Sequence, residues 1–137
     1  MATRDTDRGD ENPEDPADLL PETSVLTLEE YLDMQAAVGD RVRFEIVYRL
    51  VHGGDASPTE LSDQVAVDDS TLHYHLNELV DVGLVERRKR IEPDSRGLYT
   101  YYRATVLGEV ILDHGVEELL RRESTFRSAY DSTEPAE

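Results

Sequence analysis

Two stretches near the start of the chain repeat apolar residues at helical intervals, which predicts two helices. Thr27 and Glu30 have the spacing of a capping box, so the first helix begins after Thr27 and runs to about Val38. One of its faces carries Leu28, Tyr31 and Leu32. The second helix, over residues 40–51, is apolar on two sides. We therefore predict that this second helix lies at the centre of the domain.

Residues 57–85 contain the start signals of two further short helices. Ser57, Pro58 and Glu60 supply an N-cap hydroxyl, a proline at the first helical position and a carboxylate three residues after the cap. Asp68 can cap the next helix, whose apolar residues fall within about a quarter of a helical wheel. These residues are Leu72, Leu76, Leu79 and Gly83. Two short helices joined by a turn predict a helix-turn-helix, which makes DNA the first ligand to consider.

The other side of the helix that follows Asp68 carries an unusual set of polar groups. It presents hydroxyl, imidazole, phenol and amide groups from Ser70, His73, Tyr74 and Asn77, without a ladder of lysines and glutamates. Such side chains can form hydrogen bonds with base edges and phosphates in a major groove. Mixed polar faces also arise by chance on short helices, so this helix alone leaves simple solvation open as an alternative.

A basic β-hairpin is predicted after these helices. Residues 85–91 and 98–105 are rich in β-branched and aromatic residues and are separated by turn formers. Tyr99, Tyr101 and Tyr102 are expected to pack on the sheet. Between Asp69 and Arg103 six basic residues balance six acidic ones, so the formal net charge of −17 lies outside this window. A neutral stretch in so acidic a chain, positive across the hairpin, marks where a polyanion can approach.

Taken together, these motifs resemble the winged helix-turn-helix of the ArsR-like transcriptional regulators, in a haloarchaeal version. The resemblance covers roughly residues 38–123 and rests on Leu61-Ser62, the run TLHYHL from Thr71 to Leu76, Leu79, Gly83-Leu84-Val85, the basic hairpin and Tyr101-Tyr102-Arg103. It implies a mainly α fold with a small β-hairpin wing (α+β), in which residues 61–66 belong to the supporting helix. The residues implied to bind double-stranded DNA are Asp69, Ser70, Thr71, His73, Tyr74, Asn77, Arg87, Arg88, Lys89, Arg90 and Arg96.

No cofactor or metal is expected. Metal-sensing members of the resembled family bind through cysteines in the supporting helix or through His and Asp pairs in the last helix, and this chain has no cysteine. His73 and His75 point about 200° apart on a helix and cannot share a metal. His75 lies at the margin of the apolar face and is expected to pack there. His114, Glu117 and Glu118 have ligand spacing, but a second histidine is missing and charged helix faces are common.

The last predicted helix, over residues 105–123, is longer than a winged domain needs for its own closure. Thr105 is its expected N-cap. Its apolar face can fold back on its own domain or bind a second copy, and we expect a homodimer because a two-fold protein matches two operator half-sites. The predicted dimer interface consists of Leu28, Tyr31, Leu32, Leu107, Val110, Ile111, Leu119 and Leu120.

Composition adds the cellular setting. The chain has 137 residues, enough for one domain, and shows neither a secretory signal nor an apolar run of about 20 residues, so we expect a cytoplasmic, nucleoid-associated protein without membrane contact. Residues 1–24 are predicted to be a disordered acidic tail and residues 124–137 a polar acidic tail. One lysine against thirteen arginines, with 19 acidic and 11 basic residues in 25–122, is typical of a protein living in molar potassium chloride.

Two function classes follow from the sequence. No phosphate loop, nucleophile with a positioned base or pair of carboxylates in an apolar setting was found, so no enzyme is predicted. The first class is a sequence-specific DNA-binding transcriptional regulator of a halophilic archaeon. The alternative is a winged-helix module that docks on another protein in a transcription or replication assembly. The neutral-to-positive hairpin beside an uncharged recognition face favours DNA.

Overall fold

The computed structural model describes residues 12–91 and 97–131. Its elements are a 3-10 helix (Pro16–Leu19), α1 (Leu28–Val38), α2 (Arg41–Gly53), α3 (Pro58–Val65), α4 (Asp69–Asp81), β1 (Val85–Ile91), β2 (Leu98–Ala104), α5 (Val106–Asp113), α6 (Val116–Arg121) and α7 (Glu123–Asp131). The two strands pair antiparallel, with Val85 opposite Ala104 and Ile91 opposite Leu98. The predicted fold, mainly α with a β-hairpin wing, is confirmed.

The helices begin where the capping residues predict. The N–H of Glu30 donates to Oγ1 of Thr27 and the N–H of Glu60 donates to Oγ of Ser57, and both capping boxes are complete. At the start of α4 the N–H of Thr71 donates to the carboxylate of Asp68 over 2.8 Å. Each bond satisfies an N–H that the first helical turn leaves without a partner. The start sites predicted from the sequence are therefore confirmed.

Helix α2 lies at the centre of the fold, as its two apolar sides predict. Ile46, Val47 and Leu50 are buried, and α2 packs against α1, α3, α4, α5 and β2. Leu72, Leu76 and Leu79 of α4 are fully buried in the same core. Because α4 rests on this core through three leucines, its opposite side is held towards solvent in one orientation.

The sequence pattern also places Gly83 on the apolar face of α4, and this prediction is wrong. Helix α4 ends at Asp81, and Gly83 follows it in a turn with φ of 89°. Glycine adopts this left-handed region without the steric cost that a Cβ brings. The turn directs Leu84 and Val85 into the core, so the hairpin is anchored directly at the end of α4.

The prediction of one continuous helix over residues 105–123 is also wrong. Thr105 does cap α5, but that helix ends at Asp113 and α6 begins at Val116. A Cβ on Gly115 would lie 2.6 Å from the carbonyl oxygen of Ile111, so the close approach that turns the chain here needs glycine. Beyond Arg122 the chain continues as α7, in a segment predicted to be a polar acidic tail.

Some sequence predictions fall partly outside the described residues. These are the acidic tail over 1–24, of which residues 12–24 are described and include the 3-10 helix, the end of the chain from residue 132, and Arg96 in the hairpin turn. Within the described ranges, no helix has the length and apolar character needed to span a membrane.

Candidate nucleic-acid interface

The outward side of α4 presents most of the polar residues predicted to bind DNA. Asp69, Ser70, His73, Tyr74 and Asn77 are exposed, and Thr71 is half-buried. From Ser70 to Asn77 the helix advances about 10 Å, which corresponds to about three base-pair steps of a duplex. The side chains along this line can donate and accept hydrogen bonds, and the helix itself carries no lysine or arginine.

The N-terminus of α4 is already occupied by a carboxylate. The N–H of Thr71 hydrogen-bonds to Asp68, and this bond, with smaller contributions from the side chains of Thr71 and Ser70, lowers the pKa of the Asp68 carboxyl. Asp68 therefore stays charged at neutral pH and satisfies a donor that would otherwise be offered to a phosphate. Positive charge near α4 then comes from another element.

That element is the wing, where the basic residues are divided between its two faces. On one face Arg88 lies opposite Tyr101 and Arg90 opposite Tyr99. Arg88 donates to Glu86 over 3.2 Å. The guanidinium of Arg90 lies 4.7 Å from the ring centre of Tyr101 and 5.0 Å from that of Tyr99. Both arginines on this face are thus engaged within the wing, Arg90 through cation–π contacts.

The other face of β1 carries Arg87 and Lys89. Both are exposed, and among the residues that the structure describes neither makes an ion pair. Their cross-strand neighbours are Tyr102 and Thr100. Since Tyr102 is buried, this face is fixed to the core at its base. Arg87 and Lys89 are the cations of β1 that remain available for a polyanion.

The base of the wing carries an additional backbone connection that the sequence did not predict. The N–H of Ala56 donates to the carbonyl of Tyr102 over 3.1 Å, and the N–H of Tyr102 donates back over 2.8 Å. Ala56 lies between α2 and α3, so β2 is tied to the segment that precedes the supporting helix. Backbone hydrogen bonds therefore connect the wing directly to the helix-turn-helix.

His75 packs inside the protein, as predicted, and takes no part in the outward face. Its Nδ1 accepts from the guanidinium of Arg43 over 2.9 Å and lies 3.9 Å from the carboxylate of Asp40. The Nε of Arg43 donates to the carbonyl of Ala37 over 2.8 Å. This cluster joins α4 to α2 and to the end of α1, which fixes the orientation of the recognition helix.

The residues predicted to form a dimer interface all retain some exposed surface. Leu32, Val110, Leu119 and Leu120 are between 51% and 61% exposed, and the other four are half-buried. Leu112, on the inner side of α5, is buried in the core, so α5 also folds back on its own domain. Helices α5, α6 and α7 carry further exposed apolar residues outside the predicted interface, namely Val106, Val116, Phe126 and Tyr130.

The three residues with metal-ligand spacing do not converge. Nδ1 of His114 lies 3.8 Å from Glu118, while Glu117 turns inward and accepts hydrogen bonds from Nε2 of His52 over 3.0 Å and from Nε of Arg121 over 2.9 Å. Within the described ranges no group of three metal-binding side chains is found. Glu117 thus connects α6 to α2, a role that no local pattern could indicate because His52 is 65 residues away.

Comparison with known proteins agrees with this geometry. A family described as a helix-turn-helix domain matches residues 38–88. The arsenical resistance operon repressor of Bacillus subtilis is 30% identical over 83 residues, which are 61% of this chain and 73% of the repressor.

Solved structures support the fold. HlyU of Vibrio cholerae superimposes with a TM-score of 0.53 at 23% identity, over 68% of this chain and 87% of HlyU. A homodimeric winged helix-turn-helix DNA-binding domain of Mycobacterium bovis, a possible ArsR-family regulator, gives 0.56 at 19% identity, over 73% of this chain and 85% of that domain. The Bacillus repressor is matched over nearly three quarters of its length, 73%, at 30% identity, and the chain accordingly belongs to the ArsR-like family of winged helix-turn-helix DNA-binding transcriptional regulators.

Proposed function

We propose that this regulator binds double-stranded DNA sequence-specifically as a homodimer, with α4 in the major groove and the wing on the phosphate backbone. The observation that carries the proposal is the separation of two chemistries on adjacent elements. The outward face of α4 has directional hydrogen-bonding groups without cations, while β1 carries four consecutive basic residues. Directional contacts to base edges discriminate sequences, whereas contacts to phosphates supply affinity on any sequence.

The roles can be separated by substitution. Asn77→Ala and Ser70→Ala should weaken binding to the cognate duplex by about 1 to 3 kcal/mol and reduce discrimination against other sequences. Arg87→Ala and Lys89→Ala should weaken binding to all duplexes alike, because they remove phosphate contacts. Arg88→Ala and Arg90→Ala should act in the same direction but less strongly, since both side chains are engaged within the wing.

The measurement is fluorescence anisotropy on the cognate duplex, first selected from a random library, and on a scrambled duplex of the same length. Circular dichroism on each variant separates lost contacts from lost structure. The assigned roles would be reversed if the β1 variants changed base preference while the α4 variants left it intact. If the protein selected no sequence at all, docking on another protein would become the better account of the fold.

The homodimer is proposed to form through exposed apolar residues of α1, α5 and α6. Changing Leu119 and Leu120 together to glutamate should give a folded monomer that binds the operator much more weakly, since the two half-site contacts no longer reinforce each other. Leu19→Glu with Val25→Glu is the matched control, because both are exposed apolar residues outside the wing and outside the proposed interface. Sedimentation of the unmodified protein as a monomer at micromolar concentration would remove this part of the proposal.

We further infer a halophilic archaeal origin: the charge composition supports the halophilic setting, and the archaeal part rests on the resemblance of the motifs to the haloarchaeal version of the family. The excess of acidic residues extends through residues 25–122, where 19 acidic residues face 11 basic ones, and arginine replaces lysine almost entirely. Repulsion among so many carboxylates destabilises a compact fold at low salt and is screened in concentrated salt.

A further inference from the structure

An open apolar groove runs along α2 on the side away from the recognition helix. Its volume is about 550 Å³, and its apolar lining comes from Val38, Phe44, Tyr48, Val116 and Leu120. The rings of Phe44 and Tyr48 are stacked with their centres 6.4 Å apart, so the floor of the groove is aromatic. Leu120 is 61% exposed at its edge. Apolar surface of this kind is stabilised when another apolar group covers it.

The groove continues into a second one at the proposed dimer surface. That second groove, of about 450 Å³, includes Tyr31, Leu107 and Ile111, and the two grooves share Val38, Phe44 and Val116. A chain segment entering the first groove would therefore extend the surface through which a second copy is proposed to bind. This continuity points to the second copy as the occupant.

Helix α7 has the complementary shape and chemistry. Phe126 and Tyr130 are four residues apart and so lie on the same side of the helix, with ring centres 6.4 Å apart. They are 38% and 69% exposed within their own chain. The helix of nine residues is about 13 Å long. An aromatic pair on one side of a short amphipathic helix is the usual means by which a helix docks in an apolar groove.

The connection between α6 and α7 is too short for α7 to fold back along α6 in its own chain. Only Arg122 separates the end of α6 from the start of α7. Two helices that fold back on each other need a connection of about two to five residues. Leu120 of α6 lines the groove of its own chain, whereas none of the described residues of α7 does.

We propose that α7 of each protomer lies in the α2–α6 groove of its partner, with Phe126 and Tyr130 against Phe44 and Tyr48. This mutual placement of α7, called the exchange below, rests on the proposed homodimer and identifies a part of its interface. A two-fold axis satisfies both copies at once, because each protomer has one groove and one α7. The groove is lined by charges of both signs, from Asp40, Arg41, Glu45 and Arg49, and α7 likewise carries Glu123 and Arg127.

Cysteine cross-linking tests the exchange in the full chain, which has no cysteine of its own. Tyr48→Cys and Tyr130→Cys are prepared separately, one of them carrying an affinity tag, then mixed and oxidised. We expect a disulfide-linked pair with the mass of one tagged and one untagged chain on a non-reducing gel. Thr59→Cys, at the exposed start of α3, replaces Tyr48→Cys in the control mixture and should give no such pair.

A double variant with both cysteines distinguishes exchange from folding within one chain. We expect it to form covalent dimers, and an internal disulfide in a chain of monomer mass would overturn the proposal. Sedimentation of the unmodified protein identifies which inference fails. A dimer that gives no mixed cross-link would exclude the exchange and leave the proposed homodimer standing, whereas a monomer would exclude both.

Substitutions on α7 provide a second test of the exchange, in which the dissociation constant of the dimer is measured. Phe126→Glu with Tyr130→Glu should raise the dissociation constant of the dimer by about tenfold or more, because two aromatic side chains lose their buried contacts. Ser128→Glu is the matched control, since residue 128 lies on the opposite side of α7 from the aromatic pair. Equal dissociation constants for the two variants would overturn the proposal.

Discussion

Replacing Glu117 with glutamine should destabilise the fold and loosen α6 from α2. The Glu117 side chain is 7% exposed, and Glu117 is the buried charged residue of the described part of the chain. Its carboxylate accepts from Nε2 of His52 over 3.0 Å and from Nε of Arg121 over 2.9 Å. Glutamine keeps the shape of the side chain but removes its charge. Its amide nitrogen is itself a donor, so it cannot accept a hydrogen bond from His52 or Arg121.

The exposure of His52 and Arg121 decides how much folding stability the substitution costs. Removing one partner of a fully buried ion pair costs about 3 to 5 kcal/mol, because the other charge is left without compensation. Here the side chains of His52 and Arg121 are 39% and 63% exposed, so water can solvate them after the substitution. We therefore expect a loss of about 1 to 3 kcal/mol, the range of a hydrogen bond to a charged group.

The effect should depend on pH in a defined direction. Burial raises the pKa of Glu117, but the hydrogen bonds from Arg121 and His52 outweigh it and bring the pKa below its ordinary value of 4.5. A carboxyl with a lowered pKa in the folded state stabilises the fold fully above the unfolded value, and this contribution is lost as the pH falls through the folded value. The difference between the unmodified protein and Glu117→Gln should be complete at pH 7 and should shrink below pH 4.5.

Urea denaturation followed by circular dichroism, at pH 7 and in steps down to pH 3, measures this difference. Glu118→Gln is the matched control: Glu118 lies on the same helix, is 38% exposed and pairs with Arg122 over 3.1 Å. We expect less than about 0.5 kcal/mol for the control, since it is a surface ion pair. Equal losses for the two variants, or a Glu117→Gln difference that persists in acid, would refute the reasoning.

Two further predictions concern the turn before the wing and the salt response. Gly83→Ala should destabilise the protein by about 1 to 2 kcal/mol in urea denaturation, because alanine is strained at φ of 89°. Gly53→Ala is the control, since Gly53 lies at the end of α2 and has no atom within 4 Å of an added Cβ. Between about 0.1 and 1 M potassium chloride, folding stability and DNA affinity should rise or stay level, because screening relieves carboxylate repulsion while the close contacts of β1 persist. Anisotropy titrations with parallel circular dichroism test this, and a steep loss of binding by folded protein would contradict it.

Local signals explain why most element boundaries could be predicted. A cap such as Asp68 acts within three residues of itself, and a hairpin depends on alternation and on its turn residues. Gly83 was misplaced because a glycine at helical spacing from Leu72 and Leu76 is compatible with both a helix face and a turn. The positive φ of Gly83, which makes this position a turn, is set by the packing of Leu84 and Val85.

Long-range contacts explain what the sequence could not predict. The pairing of Ala56 with Tyr102 and the hydrogen bond between His52 and Glu117 each join residues far apart in the chain. Local spacing therefore grouped Glu117 only with His114 and Glu118, as residues with metal-ligand spacing. Similarly, Arg88 and Arg90 are indistinguishable from Arg87 and Lys89 by composition, and only the register with the tyrosines of β2 separates them.

The distribution of charge has a consequence for how this family member must approach DNA. The start of α4 holds Asp68 and Asp69, and α4 itself carries no lysine or arginine, so the recognition helix has no electrostatic attraction to phosphates of its own. We expect the basic wing, fixed to the core through Tyr102, to supply that attraction. Since 19 acidic residues face 11 basic ones over residues 25–122, we expect other surfaces of the domain to be repelled by DNA, so that the carboxylates also favour the alignment of the wing with the phosphates. We expect the charges of the fold to contribute to DNA recognition mainly by orienting the domain on the duplex, and less by attracting it.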